Sequence, residues 1–191
     1  MHRCEPLDVL HVADAANIEV VEVLPAIRAL AREVHAEAVL RGVFAEGVVH
    51  AGTFDGNAPT GVRFDFEHPG ATPKAIPKAL HISIAAGEVR VALDGDAAGI
   101  RRHWELPLPD PTCSARRAWD AVVASGVPRD AASRYGYHYP SVRPVWVFQD
   151  EQMDRWLRHL DPTTCAVLRA SGQLGGAPAP TTTRVDPSDL Q

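Results

Sequence analysis

A chain of 191 residues, 46% hydrophobic and 23% charged, has the composition of a folded domain that closes its own core, so neither a disordered chain nor a disulfide or metal scaffold is indicated. Its formal net charge is -5, and its 19 basic residues are 17 Arg plus Lys74 and Lys78, scattered so that only Arg101-Arg102 and Arg116-Arg117 adjoin; this speaks against the concentrated cationic face of a nucleic-acid binder. No apolar run approaches the ~20 residues of a membrane-spanning helix.

The opening MHRCEPLDVLHVADAAN is broken by acids and a proline and lacks the apolar heart of a signal peptide. The expected compartment is therefore the cytoplasm, or the envelope or periplasm if a leader has been removed. Residues 7 to 12, LDVLHV, alternate as a short strand. Asp14 and Asn17 then offer helix caps, and Val20, Val23, Leu24, Ile27, Leu30, Ala31 and Val34 make one helical stripe. That spacing predicts a helix over residues 18 to 35, kinked at Pro25, where a proline removes a hydrogen bond.

A β-rich block follows. GVVHAGTF leads into the turn cluster DGNAPTG. GVRFDFEH alternates Val62, Phe64 and Phe66 with Arg63, Asp65 and Glu67, so one face is buried and one is wet. PGATPKAIPKA reads as a proline-rich loop. LHISIAAGEVRVALDG reads as a hairpin, with Ile82 and Ile84 facing Val89, Val91 and Leu93 across an Ala-Gly turn. Trp104 and Leu106 extend this sheet until PLPDP ends it.

DPTCSARRAWDAVVASGVP predicts a second helix. Ala115, Ala118, Trp119, Val122 and Val123 form its stripe, Thr112 or Ser114 its cap, and Gly126 with Pro128 its stop. RYGYHYPSVRPVWVFQ reads as a further hairpin, with Tyr135, Tyr137 and Tyr139 on one face and Trp146 and Phe148 in the return strand. Asp150 is read as the cap of a last helix carrying Met153, Trp156, Leu157 and Leu160. TCAVLRA reads as a final strand, and the Gly-, Pro- and Thr-rich stretch from Ser171 as a tail too poor in apolar residues to order itself.

REVHAEAVLRGVF and ASGVPRDAASRYGY can be laid together, matching Val34 to Val127, Glu37 to Asp130, Ala38 to Ala131 and Arg41 to Arg134. Each follows a helix and leads into strands, so a helix with its hairpin or meander occurs twice. The expected fold class is α+β: two such units, residues 1-106 and 107-170, set their helices on one face of an antiparallel sheet, with residues 171-191 as the tail.

This arrangement resembles tandem repeats of the PepSY type or of the β-lactamase-inhibitor-protein type. Trp119, Ala124, Gly126, Pro128, Trp146 and Phe148 are also similar to a pattern that recurs in a domain of GC-rich bacteria. The resemblance implies a binding or regulatory module and does not imply an active site.

The candidates for chemistry each have a plainer reading beside them. Cys113, at a helix entrance, could carry a lowered pKa and serve as a nucleophile with His138 or His159, but the small residues that flank a thiol-protease nucleophile are missing. Among three cysteines, none spaced as a zinc knuckle or redox motif, the alternatives are inert buried thiols or a Cys113–Cys165 contact that ties helix to C-terminal strand. No two histidines share an HxH or HExxH spacing; dispersed histidines such as His50, His81 and His103 from neighbouring strands could still converge on a metal, and solvated or hydrogen-bonded histidines are the plainer reading. Asp94 and Asp96 open like a calcium loop whose later acidic ligand is absent, and GQLGG lacks the strand and helix of a phosphate loop.

The aromatic set Tyr135, Tyr137 and Tyr139 is expected to form a binding face, because Tyr and Trp dominate the energetics of protein contacts. The expected function is thus a non-catalytic protein-binding or regulatory accessory module working through an exposed sheet face. It needs no cofactor or metal, and its partner is another protein, with no nucleic acid and no membrane insertion. The alternatives are a hydrolase or transferase built on Cys113 and a carrier of an apolar ligand.

Overall fold

A computed structural model describes residues 2–45, 51–68, 78–94, 107–140, 143–150 and 155–171. The chain runs β1 (His2–Pro6), a 3-10 turn (Leu7–Leu10), α1 (Val20–Val34), β2 (Val39–Ala45), β3 (Val62–His68), β4 (Lys78–Ala85) and β5 (Glu88–Asp94). It continues through α2 (Ala115–Ala124), β6 (Ser133–His138), β7 (Val145–Asp150), β8 (Leu157–Leu160) and β9 (Val167–Ser171). All nine strands pair antiparallel in one sheet of order β1-β5-β4-β3-β2-β6-β7-β8-β9.

The expected pair of helix-plus-hairpin units is therefore corrected. Strand dominates, the two α-helices have only 15 and 10 residues, and pairing runs without a break across the whole sheet. The strands after α1 and those after α2 meet where β2 pairs β6, with Phe44 opposite Gly136 and Val43 opposite Tyr137. Strand β2 escapes a reading by alternation because the register shifts between Leu40 and Gly42. That bulge inserts Arg41, which has no register partner in β3, so the buried Leu40 and Val43 stand three residues apart and the period of two is broken.

Two further expectations fail for identifiable reasons. LDVLHV forms a 3-10 turn, which buries Leu7 and Leu10 together, while the strand lies just before it. The predicted last helix is strand β8: Arg158 and Leu160 are buried and alternate with half-buried Leu157 and His159. Trp156, Leu157 and Leu160 imitate a helical stripe only because Trp156 precedes the strand; Met153 lies outside the described residues. So do His50, His103, Trp104, Leu106, Asp96, residues 69–77 of the proline-rich loop and residues 172–191, while the loop's last two residues, Lys78 and Ala79, open β4.

Elsewhere local chemistry and structure agree. Ala86 and Gly87 take φ of 54° and 75°, the two left-handed residues of a tight hairpin turn, and Ile82 pairs Val91 and Ile84 pairs Val89. Ser114 Oγ accepts from Arg117 N at 3.2 Å and caps α2. Pro25 lies inside α1, where its missing N–H leaves one carbonyl of the preceding turn without a helical donor.

The core fills one side of the sheet. Phe64, Phe66, Ile82, Ile84, Tyr137, Trp146 and Phe148 point from the strands toward Val23, Ile27, Trp119 and Val122 of the two helices, all of them buried. Trp119 packs on Phe148 with ring centroids 5.9 Å apart and on Trp156 at 6.3 Å. Alternation sends the intervening residues to the opposite side, here called the outer face.

Candidate functional site: the outer face of the sheet

The three tyrosines expected to form an exposed binding face are buried. Tyr135, Tyr137 and Tyr139 are 3%, 0% and 7% exposed, on the helix side. Tyr137 Oη donates to Pro109 O at 2.9 Å and Tyr139 Oη to Pro107 O at 3.2 Å. They hold the segment leading into α2 against the β2–β6 seam, assisted by Leu108 N donating to Leu40 O and by Arg28 of α1 donating to Leu108 O and Asp110. Burial pushes the Tyr135 and Tyr137 hydroxyls upward.

Cys113 also sits on this inner side, wholly buried, and forms a disulfide with Cys165. Its N donates to Pro162 O at 2.7 Å, and Trp146 Nε1 donates to its carbonyl at 2.8 Å. A sulfur in a disulfide is no thiolate nucleophile. His138 lies on the outer face, so the sheet separates it from Cys113. The chain's thiols are therefore not all reduced, contrary to the first of the readings above.

The outer face is charged. The register aligns one row across the full width of the sheet: Cys4, Arg90, Ser83, Arg63, Phe44, Gly136, Val147, His159 and Arg169, one from each strand. Around it, Arg63 Nε donates to Asp65 Oδ1 at 2.8 Å, and His81 Nδ1 stands 2.7 Å from the same oxygen. The Arg63 guanidinium lies 5.6 Å from the Phe44 ring centroid, a cation–π contact. Phe44 in turn stacks on His138 at 5.3 Å. Arg41 Nε donates to Glu67 Oε2 at 3.0 Å.

Both outer-face histidines of the second half are held below the ordinary histidine value. His138 is lowered by burial and further by nearby His159, against a backbone hydrogen bond at Tyr139 that raises it. His159 is lowered by burial and by Arg169. Next to them opens a groove of about 420 Å³, bordered by Phe44, Arg134, His138, Val147 and Gln149, with Gly136 at its floor.

Sequence reading placed Arg63, Asp65 and Glu67 on a wet face but did not single out Arg134, Gly136 or His138 as a surface. The signal was present: in SRYGYH, burying every tyrosine by alternation sends Arg134, Gly136 and His138 to the other side. Of the His trio proposed for a metal, only His81 is described, and it is engaged with Asp65. Among the described residues no group of three metal-ligating side chains converges. No helix there is long and apolar enough to cross a membrane.

Comparison of the chain with protein-family models, with curated proteins and with solved structures gave no match.

Proposed function

We propose that this chain is a protein-binding, regulatory accessory module, and that its binding surface is the outer face of the sheet. One observation carries the reading: both α-helices and the aromatic core close one side of the nine strands, while the other side keeps half-exposed Phe44, Arg63, His138, Val147 and Gln149 around a groove. A sheet face with rigid backbone and mixed aromatic and charged side chains suits recognition of another protein. The kinship with PepSY-type and β-lactamase-inhibitor-protein-type modules belongs to the same proposal. The similarity to the domain of GC-rich bacteria is part of it too: Trp119, Trp146 and Phe148 of that pattern pack together, and both resemblances imply a binding role.

The Cys113–Cys165 bridge supports placing the module in an oxidising compartment such as a bacterial envelope, because structural disulfides persist there and are rare in a reducing cytosol.

A photo-crosslinking residue at Val147 tests the reading against the same residue at Arg117, which is exposed on α2. In the native cell, capture of one defined protein from Val147 and not from Arg117 is expected. Capture from neither position, or from Arg117 alone, would sink the proposal.

A further inference from the structure

Resting on the outer face as a protein-binding surface, we propose that the groove over Gly136 is a carboxylate pocket, and that the partner presents an extended acidic segment along the β2–β6 seam. The groove exists because residue 136 has no side chain. A Cβ there would stand 3.1 Å from His138 Cδ2 and 3.4 Å from Phe44 Cδ1, within a stacked pair.

One wall carries Arg134, which lies opposite Gln149 in the β6–β7 register. Arg134 Nε is buried and has no hydrogen-bond partner. Toward the other end of the seam, Arg41 pairs with Glu67 through Nε but leaves Nη1 buried and unpartnered, on a side chain only 10% exposed. A buried donor without an acceptor is costly, and one on a guanidinium especially so. A carboxylate is the group that best satisfies it. Arg41 precedes Gly42, which pairs His138, and Arg134 lies four residues before His138 in β6, so the two backbone positions are about 15 Å apart at the rise of a strand, a span that an extended peptide covers in about five residues.

Charge points the same way. The chain as a whole carries -5, yet the described outer face holds five arginines, at 41, 63, 90, 134 and 169. Against them stand Asp65, Glu67 and Glu88, each already in an ion pair, with Asp94 at the end of β5 in the register row of Glu67. Arginines gathered on one face of an acidic protein steer an acidic partner toward that face. The interleaved Asp65 and Glu67 favour a peptide over a nucleic acid. A phosphate chain charged at every unit would meet them, whereas a peptide can carry its acids only where the arginines lie.

The test uses the full chain with its disulfide intact and fluorescein-labelled hexaglutamate followed by anisotropy. Wild type is expected to bind it, more weakly as salt rises. Arg134→Gln should weaken binding about tenfold, the loss of one charged hydrogen-bonded contact, while Arg117→Gln, an equal change of net charge on α2, should leave it within about twofold of wild type. Gln149→Glu, which sets a carboxylate beside Arg134 without removing it, should weaken binding likewise and covers the case in which Arg134→Gln does not fold. The pocket is overturned if hexaglutamate does not bind, if neither groove variant weakens binding more than Arg117→Gln, or if labelled hexathymidylate binds as tightly. Any of these results alongside capture from Val147 sinks the pocket and leaves the protein-binding reading in place; absence of capture sinks that reading itself.

Discussion

Single side chains join parts of the chain that are far apart in sequence. Glu19, 8% exposed just before α1, accepts from Arg116 N at 3.1 Å and so closes the N-terminus of α2, where an anion meets the unpaired N–H groups and the positive end of the helix dipole. Gly52, at φ 76°, brings its loop so close to α2 that a Cβ would stand 2.3 Å from Ala115 O. His138 links the outer face to pH. Its pKa and that of His159 are lower in the folded chain than the ordinary 6.5, chiefly through burial. The unfolded chain therefore binds protons first as pH falls. The stability these neutral rings contribute is full above about pH 6.5 and is lost as pH drops below it. Thermal unfolding at about pH 7.5 and 5.5 should show a fall in Tm on acidification that His138→Gln reduces; an equal fall in wild type and variant would contradict this account.

At the scale of elements, β6 shows how one strand serves two surfaces. Its odd-numbered positions, Tyr135 and Tyr137, are core and clamp, while Arg134, Gly136 and His138 face outward. The clamp matters because the segment 107–114 has no secondary structure of its own and must be tied by side chains. Tyr137→Phe keeps the ring and its contact with Trp146 at 4.9 Å but leaves Pro109 O without its donor. Stability to urea should drop by about 1 kcal/mol, with capture at Val147 unchanged. If the tyrosine were instead a contact residue for a partner, capture would fall and stability would hold.

For the molecule as a whole, the disulfide closes a sequence separation of 52 residues and encloses α2, β6, β7 and β8. Cross-linking a loop of that size restricts the unfolded chain, a contribution of about 2–4 kcal/mol. The Cys113→Ala/Cys165→Ala double variant should unfold at correspondingly lower denaturant, and the wild type should shift to match it once reduced under denaturing conditions and refolded with reductant. Cys4 is exposed on the edge strand β1 and has no partner, so it is the thiol that labels in the native protein. No shift on reduction would mean that the bridge does not hold the two ends together.

Much of this was legible locally. The period of two in GVRFDFEH, the Ala-Gly turn between β4 and β5, and the Ser-cap and Gly-Pro stop of α2 act within a few residues, so sequence by itself determined β3, β4, β5, α2 and the β6–β7 hairpin. It also determined that one face of β3 is charged. What only the tertiary structure decided depends on contacts between distant residues. The bulge at Leu40–Gly42 hides β2 because its register is set by β3 and β6, and LRHL becomes β8 because β7 and β9 pair with it on both sides. Alternation says that the tyrosines of β6 share a face, but not which face; the helices and the clamped segment settle that. Pairing of Cys113 with Cys165, and the gathering of Phe44, Arg134 and His138 from two meanders around Gly136, follow from where the strands lie in the sheet, which no local period encodes.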